Sequence, residues 1–153
     1  MIAVGSGILR RPATATDEPY LCALFAGSRD DLALLPAQVH ERLIDLQFSA
    51  QRAQQRASYP DASHEILVVD GRDVGQIVLA DCHVVDITID RADRRRGIAT
   101  AVLRGVIARN CPDPTTLHVW AANTAARALY AGLGFESSED GEGYLTMVHR
   151  CEP

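Results

Sequence analysis

Apolar residues along the chain fall into runs whose spacing alternates between two and three-to-four, and each change predicts a new element. GILRRP reads as a short strand over residues 8–11 followed by a turn. Thr16 or Asp17 can cap a first helix, with Pro19 in its first turn and Tyr20, Leu21, Leu24 and Phe25 as apolar positions. GSRDDLALLP breaks that pattern as a loop. From Pro36, the residues Val39, Leu43, Leu46, Ala50, Ala53 and Ala57 recur three and four apart, which predicts a long helix with one apolar face. Its other face carries Glu41, Arg42, Asp45, Gln51, Arg52 and Gln55, and SYPDAS stops it.

EILVVDGRDVGQIVLAD places two apolar runs around DGRD, a hairpin signal, and HVVDITID extends the sheet. After Gly97, the residues Ile98, Val102, Leu103, Val106 and Ile107 predict a helix that two prolines end at NCPDP. TTLHVWA is another strand. Asn123 caps a helix bearing Ala126, Leu129, Tyr130 and Leu133, Gly134 supplies a left-handed stop, and the final run predicts a hairpin turning at EDGEG. The order is strand, two helices, three strands, helix, strand, helix, hairpin. It predicts an α/β (α+β) fold over residues 1–153, one domain with helices on both faces of a mainly antiparallel sheet.

Composition narrows the functional classes. A chain of 153 residues that is 47% apolar can bury a real core, and its net charge of −5 argues against nucleic-acid binding. The positive charge is nonetheless concentrated: DITIDRADRRRGIAT, residues 86–100, holds four of the fifteen basic residues, all of which are arginine. Cys22, Cys82, Cys111 and Cys151 are scattered without metal or redox spacing and read as reduced thiols. With no secretory leader and no run long enough to span a bilayer, the expectation is a soluble cytoplasmic protein, without membrane, nucleic-acid or metal partners.

A strand leading through RRRG into a helix sets unpaired N–H groups and the positive end of the helix dipole around a glycine. That is a site for a phosphate group, with nearby arginines as clamps. An exposed arginine-rich loop is the alternative reading of this stretch alone.

A second motif lies about 25 residues on. Arg94-x-x-Gly97-x-Ala99, with Asn123-x-x-Ala126-x-x-Leu129-Tyr130 and Gly134-Phe135, resembles the GNAT superfamily of acyl-CoA-dependent N-acyltransferases. The element order is also that family's. Ala99 stands where glycine is commoner. The resemblance implies a mixed, mainly antiparallel sheet of about six to seven strands in which the strand over residues 85–89 and the next one splay apart. It implies acetyl-CoA as cosubstrate, its pyrophosphate over Arg94, Arg95, Arg96, Gly97, Ile98, Ala99 and Thr100. The pantetheine arm would lie along Ile87, Thr88 and Ile89, close to Asn123, Ala126, Arg127 and Tyr130.

Acyl transfer to a primary amine by direct attack needs a base, because an amine with a pKa near 10.4 is mostly protonated at neutral pH. His83 stands where family members with a glutamate base carry it, and its intrinsic pKa suits the task. Asp86 is the competitor, a carboxylate within an apolar strand; in a regular strand the two point to opposite faces, and only a bulge would unite them. A water relay is the third possibility. Tyr130 is at the family's position for protonating the leaving thiolate. His118 and Trp120 read as core or cleft wall. The acceptor, a small molecule or a peptide amine, is expected near residues 28–35, 48–59 and 136–144, where Asp30, Asp31, Glu139, Asp140 and Glu142 would suit a cation. A homodimer is compatible with this reading. The contrasting hypothesis is a catalytically silent acyl-CoA-binding sensor or interaction module.

Overall fold

Among the described residues, eight strands form one sheet in the order β1-β2-β3-β4-β5-β6-β8-β7. The computed structural model describes residues 2–4, 7–140 and 143–152. Strand β1 is Ile2–Val4, β2 Ile8–Pro12, β3 Ser63–Val69, β4 Arg72–Ala80, β5 His83–Ile89, β6 Thr115–Trp120, β7 Glu136–Asp140 and β8 Tyr144–His149. The helices are α1 Glu18–Gly27, α2 Ala37–Ser58, α3 Ile98–Asn110 and α4 Thr124–Gly132. All neighbouring strands run antiparallel except β5 and β6. The mixed α/β architecture is as expected from the element order, with the three-residue β1 added at the edge.

Local chemistry explains most boundaries. Asp70 and Gly71, both with positive φ, make the two-residue turn between β3 and β4. Asn123 accepts a hydrogen bond from the Ala126 N–H at 3.2 Å and starts α4, and Gly134, at φ 97°, ends the segment in the left-handed region. Asp17 precedes α1 but does not cap it with its side chain. Its carboxylate accepts from the Thr14 N–H and from Arg11, which holds it well below the usual carboxylate range, to about 2. The β7–β8 turn at residues 141–142, including Glu142, lies outside the described residues.

Two cores flank the sheet. The larger gathers Leu67, Val74, Ile77, Val84 and Leu117 under α3 and α4, with Val102, Leu103 and Phe135 completing it. The smaller joins Leu21 and Leu24 of α1 to Ile66 and Val68, with Tyr20 and Phe48 alongside.

The structure adds one finding to the sequence reading and corrects one expectation. An apolar helical stripe ordinarily faces a core, yet on α2 Val39, Leu46, Ala50, Ala53 and Ala57 are exposed. The inward side is instead Ile44 with half-buried Phe48, Gln51, Arg52 and Gln55. The reason lies in the sheet beneath, where His64, Gln76, Asp86 and Thr88 present a polar floor that amphipathic side chains match better than alanines. Secondly, Cys111 and Cys151 are not reduced thiols but a disulfide, with Cα atoms 5.9 Å apart. Cys111 follows α3 immediately, and the β6–β8 pairing of Thr115 with His149 returns the C-terminal tail to it. Cys22 and Cys82 are free. The pairing removes one support for a cytoplasmic location; among the described residues no helix is long and apolar enough to cross a membrane.

Candidate active site

The arginine stretch forms a left-handed entry to α3. After β5, Asp90 accepts from the Ala92 N–H and opens a short 3-10 turn, Arg91–Asp93. Asp93, only 2% exposed, anchors the loop by accepting from Arg72 at 2.6 Å and Arg96 at 3.0 Å. Arg95 and Gly97 then take φ values of 63° and 75°. A Cβ on Gly97 would meet nothing within 4 Å, so glycine serves the backbone conformation there. No side chain caps α3, whose entry bond runs from Ala101 N–H to Gly97 O at 3.0 Å. The N–H groups of Ile98, Ala99 and Thr100 therefore lack intrahelical acceptors and point toward the loop with the positive end of the dipole.

The four arginines divide their work. Arg91 donates to Gly27 O at 3.1 Å and pairs with Asp30; Arg94 donates to Ile89 O at 3.2 Å and reaches Gly27 O; Arg96 is held by Asp93. Among the described residues, Arg95 alone of the four has neither an ion pair nor a hydrogen bond, and it is exposed. Much of the cation that the sequence concentrates here ties the loop to the end of α1 and to Asp93, leaving Arg95 and the helix terminus unengaged.

Beside this loop the sheet opens. Strands β5 and β6 pair only at His83↔Thr116 and Val84↔Leu117, so residues 85–89 have no ladder partner on that side. Backbone donors and acceptors are left for another extended chain to use. On the opposite edge β4 runs very close, and a Cβ on Gly75 would collide with the Thr88 carbonyl. Ile87 and Ile89 pack on the larger core, while Thr88 faces the other side.

A bulge resolves the geometry of the two candidate bases. Pairing passes from Val78↔Asp86 to Leu79↔Val84, which leaves Val85 as an extra residue in β5. Counted along their partners Ala80 and Val78, His83 and Asp86 thus lie on one face, the face under α1 and α2. They occupy different surroundings. His83 contacts Thr116 Oγ1 at 2.7 Å through Nδ1, and its ring lies 5.6 Å from Tyr59 and 4.8 Å from His118. Burial, and then the neighbouring His118, lowers its pKa. Asp86 lies in a cavity of ≈ 60 Å³ between α1, α2 and the sheet, with Phe25, Phe48, Gln51, Gln55 and Thr88. Burial pushes its carboxyl up to about 6, against smaller opposing effects of Thr88 and the Ile87 backbone.

Asp86 is held by a hydrogen-bonded chain that sequence reasoning missed. Arg52 can only donate, so His64 Nδ1 accepts from it at 2.7 Å. Nε2–H of His64 then donates to Gln76 Oε1 at 2.5 Å, and Gln76 Nε2 donates to Asp86 Oδ2 at 2.8 Å. Every donor points toward the carboxylate. The arrangement needs neutral His64, and burial, its largest influence, lowers that pKa. Arg52 is fixed in turn by Glu18 at 2.7 Å. The available signal was polar Gln76 within the apolar part of β4; His64, beside Ser63 and Glu65 at the start of β3, gave none.

Tyr130 is half-buried on α4, its ring 5.9 Å from Phe135. Burial first, and the Asp86 charge second, push its phenol up to about 12, so it stays protonated as a donor. Among the described residues its hydroxyl has no hydrogen-bond partner. Asn123 serves as the α4 cap, accepting from the Ala126 N–H, and Arg127 donates to Ala121 O at 2.9 Å. Trp120 is not core but a half-exposed rim residue, 4.7 Å from Tyr144 in edge contact. The cavity draws on two of the three regions expected to hold an acceptor, through Ser28 and through Phe48, Gln51, Arg52 and Gln55; among the described residues, none of 136–138 or 143–144 lines it. Asp30 and Asp31 are paired with Arg91 and Arg29. A larger hollow of ≈ 580 Å³, lined by Arg10, Glu65 and Arg109 among others, contains neither Asp86 nor Tyr130.

Comparison with known proteins places this geometry. An acetyltransferase (GNAT) domain model matches residues 32–144. Among solved structures, the fold is similar to the PaiA N-acetyltransferase of Thermoplasma acidophilum in complex with coenzyme A. The TM-score is 0.69 and the identity 15%, over 94% of this chain and 99% of that one. It is also similar to an acetyltransferase of Thermus thermophilus, at TM-score 0.68 and 21% identity over 94% and 97%. A third is RimL, a ribosomal L7/L12 alpha-N-protein acetyltransferase in complex with coenzyme A, at TM-score 0.61 and 14% identity over 97% of each chain. No curated protein sequence matches the chain. The family match spans most of the sequence and covers the splayed strands, the left-handed loop and α4: the chain belongs to the GNAT family of acetyltransferases.

Proposed function

We propose that residues 1–153 act as one domain that transfers an acetyl group from acetyl-CoA directly to a primary amine. The observation that carries this reading is the contiguity of three features. They are the unpaired edge of β5, the uncapped terminus of α3 behind Arg95 and Gly97, and Asp86 with Tyr130 at the opening. Backbone N–H groups of residues 97–100 and the Arg95 guanidinium suit a diphosphate, and the free edge of residues 85–89 suits an amide-bearing arm. The cosubstrate supplies an activated thioester.

Asp86 is the general base in this proposal. It borders the cavity where an acceptor amine would enter, and at neutral pH a carboxyl of pKa about 6 is mostly ionised yet basic enough to receive a proton. The chain from Arg52 through His64 and Gln76 occupies Oδ2 and leaves Oδ1 to the amine. His83, tied to Thr116 and outside the cavity wall, shapes the neighbouring face. Asp86 removes one proton from the ammonium, the neutral nitrogen then bonds to the acetyl carbon, and the second proton it sheds as the amide forms passes with the first to solvent. Tyr130 gives its proton to the sulfur as the carbon–sulfur bond breaks, and regains one from solvent. A backbone N–H among residues 87–89 polarises the acetyl oxygen.

The cavity is narrow; Phe25 and Phe48 share its wall with mostly polar side chains such as Gln51, Gln55 and Thr88, and Asp86 is the one carboxylate among the described residues that line it. An unbranched primary amine on a slender stem that can meet polar groups, from a small molecule or a peptide, fits this chemistry. The test pairs calorimetric titration of acetyl-CoA with thiol release over a panel of aliphatic amines and amino-terminal peptides. Binding together with amine-dependent thiol release supports the proposal; binding with no release above the uncatalysed rate for any amine identifies a silent module.

A further inference from the structure

Helix α2 has an outer face that the monomer leaves uncovered. Val39 is 49% exposed and Leu46 68%; Ala50, Ala53 and Ala57 are exposed and Leu43 is half-buried. These six residues are spaced 4, 3, 4, 3 and 4 apart, a strict heptad alternation rather than the broader stripe of a helix lying on a sheet. Of the 22 residues in α2, only Ile44 is buried. The helix is thus weakly seated on its own chain while carrying a seam of the kind that pairs with another helix. Leu34, 97% exposed, and Leu35 extend the apolar surface at its start.

We infer that this face pairs antiparallel with α2 of a second copy, forming a two-fold dimer. Size selects the orientation. The seam is large at its beginning, with Val39, Leu43 and Leu46, and small at its end, with Ala50, Ala53 and Ala57. Antiparallel overlap sets Val39 against the partner's Ala57, Leu43 against the partner's Ala53 and Leu46 against the partner's Ala50. Each large side chain then meets a methyl group and the helices approach closely, whereas parallel overlap would crowd one end and leave the other thin.

The helix dipoles favour the same arrangement, since opposed dipoles attract. The like-charged flank, Arg42 near the partner's Arg56, is eased because Glu18 lies 3.7 Å from Arg56 within its own chain. The same helix walls the Asp86 cavity with Phe48, Gln51, Arg52 and Gln55, so the pairing braces that wall from behind.

The experiment is sedimentation equilibrium of the full chain from about 1 to 100 µM, with Leu46→Glu and Ala53→Glu measured beside it. The expected result is a species of twice the 16.6 kDa chain mass. Each variant should weaken association by about 100-fold or more, because both copies then bury a charge. Circular dichroism of the variants establishes that they fold. Direction is read by oxidising mixtures of Leu46→Cys and Ala50→Cys proteins in a Cys22→Ser, Cys82→Ser background. Antiparallel pairing links the two variants to each other and neither to itself. A monomer at every concentration, a dimer indifferent to both charges, or self-linking of each variant would overturn the inference.

Discussion

Replacing Asp86 by asparagine should make the enzyme slower and the fold more stable, and the two effects together identify a residue held in a costly state for chemistry. The folded carboxyl titrates at about 6 rather than 3.8, so ionising it opposes folding. The sign follows from proton binding: between those values the folded state holds more protons than the unfolded, and stability falls as pH rises. The penalty is absent below about pH 4, grows through pH 6 and is complete above it. Its size, at about 1.4 kcal/mol per unit, is about 3 kcal/mol, and partial contact with solvent in the cavity reduces it to about 2. Asparagine keeps the shape and an oxygen to accept from Gln76. Asp86→Asn should therefore raise the melting temperature at pH 7.5 by about 4 to 8 °C and leave it nearly unchanged at pH 4. The same protein should lose about 10²- to 10⁴-fold in kcat/KM, with acetyl-CoA affinity little altered. Thermal scans at the two pH values and thiol-release kinetics measure both. Lower stability at pH 7.5 would refute the burial argument, and wild-type turnover would remove Asp86 as base.

Tyr130→Phe should cost at most about 1 to 2 kcal/mol of stability in a urea titration, since only a hydroxyl is lost, but about 100-fold in kcat when acyl transfer limits the rate. Gly97→Glu should abolish acetyl-CoA binding in calorimetry by setting bulk and negative charge at a left-handed position beside the helix terminus, whereas Gly97→Ala should weaken it mainly through backbone strain of about 1 kcal/mol. Gln76→Leu takes a hydrogen bond from the ionised form of Asp86, so the acidic limb of the pH–rate profile should move upward by about one unit; a limb that stays in place would disconnect the Arg52–His64–Gln76 chain from the base. His83→Ala should leave that limb where it is, and its disappearance would reassign the base to His83.

What could be read in the chain beforehand was whatever local chemistry determines. The turn at Asp70 and Gly71, the Asn123 cap, the Gly134 stop and the left-handed entry at Gly97 are set by residues within a few positions. The face of α2 was not legible in this way, because a period reveals an apolar stripe and not what it faces. Here the polar floor of His64, Gln76 and Asp86, assembled from three strands, turned the stripe outward. The Cys111–Cys151 bond spans 40 residues and depends on the β6–β8 register, which spacing does not report. The Val85 bulge likewise exists only relative to β4, and without it His83 and Asp86 would lie on opposite faces. The motif located the loop and Tyr130, but three of its arginines proved to be ties within the protein, which leaves Arg95 and the backbone facing outward.

The central claim, direct transfer from acetyl-CoA to an amine without an acylated enzyme, is tested most directly by single-turnover mass spectrometry. Enzyme in excess is mixed with isotopically labelled acetyl-CoA, first alone and then with an amine that supports thiol release, and quenched in acid over time. The protein should keep its unmodified mass at every time point, Cys82 and Cys22 included. Labelled N-acetyl amine should appear in step with free coenzyme A thiol, and only when amine is present. Label accumulating on the protein before the amine is added, and then passing to it, would show an acylated enzyme and exclude direct transfer.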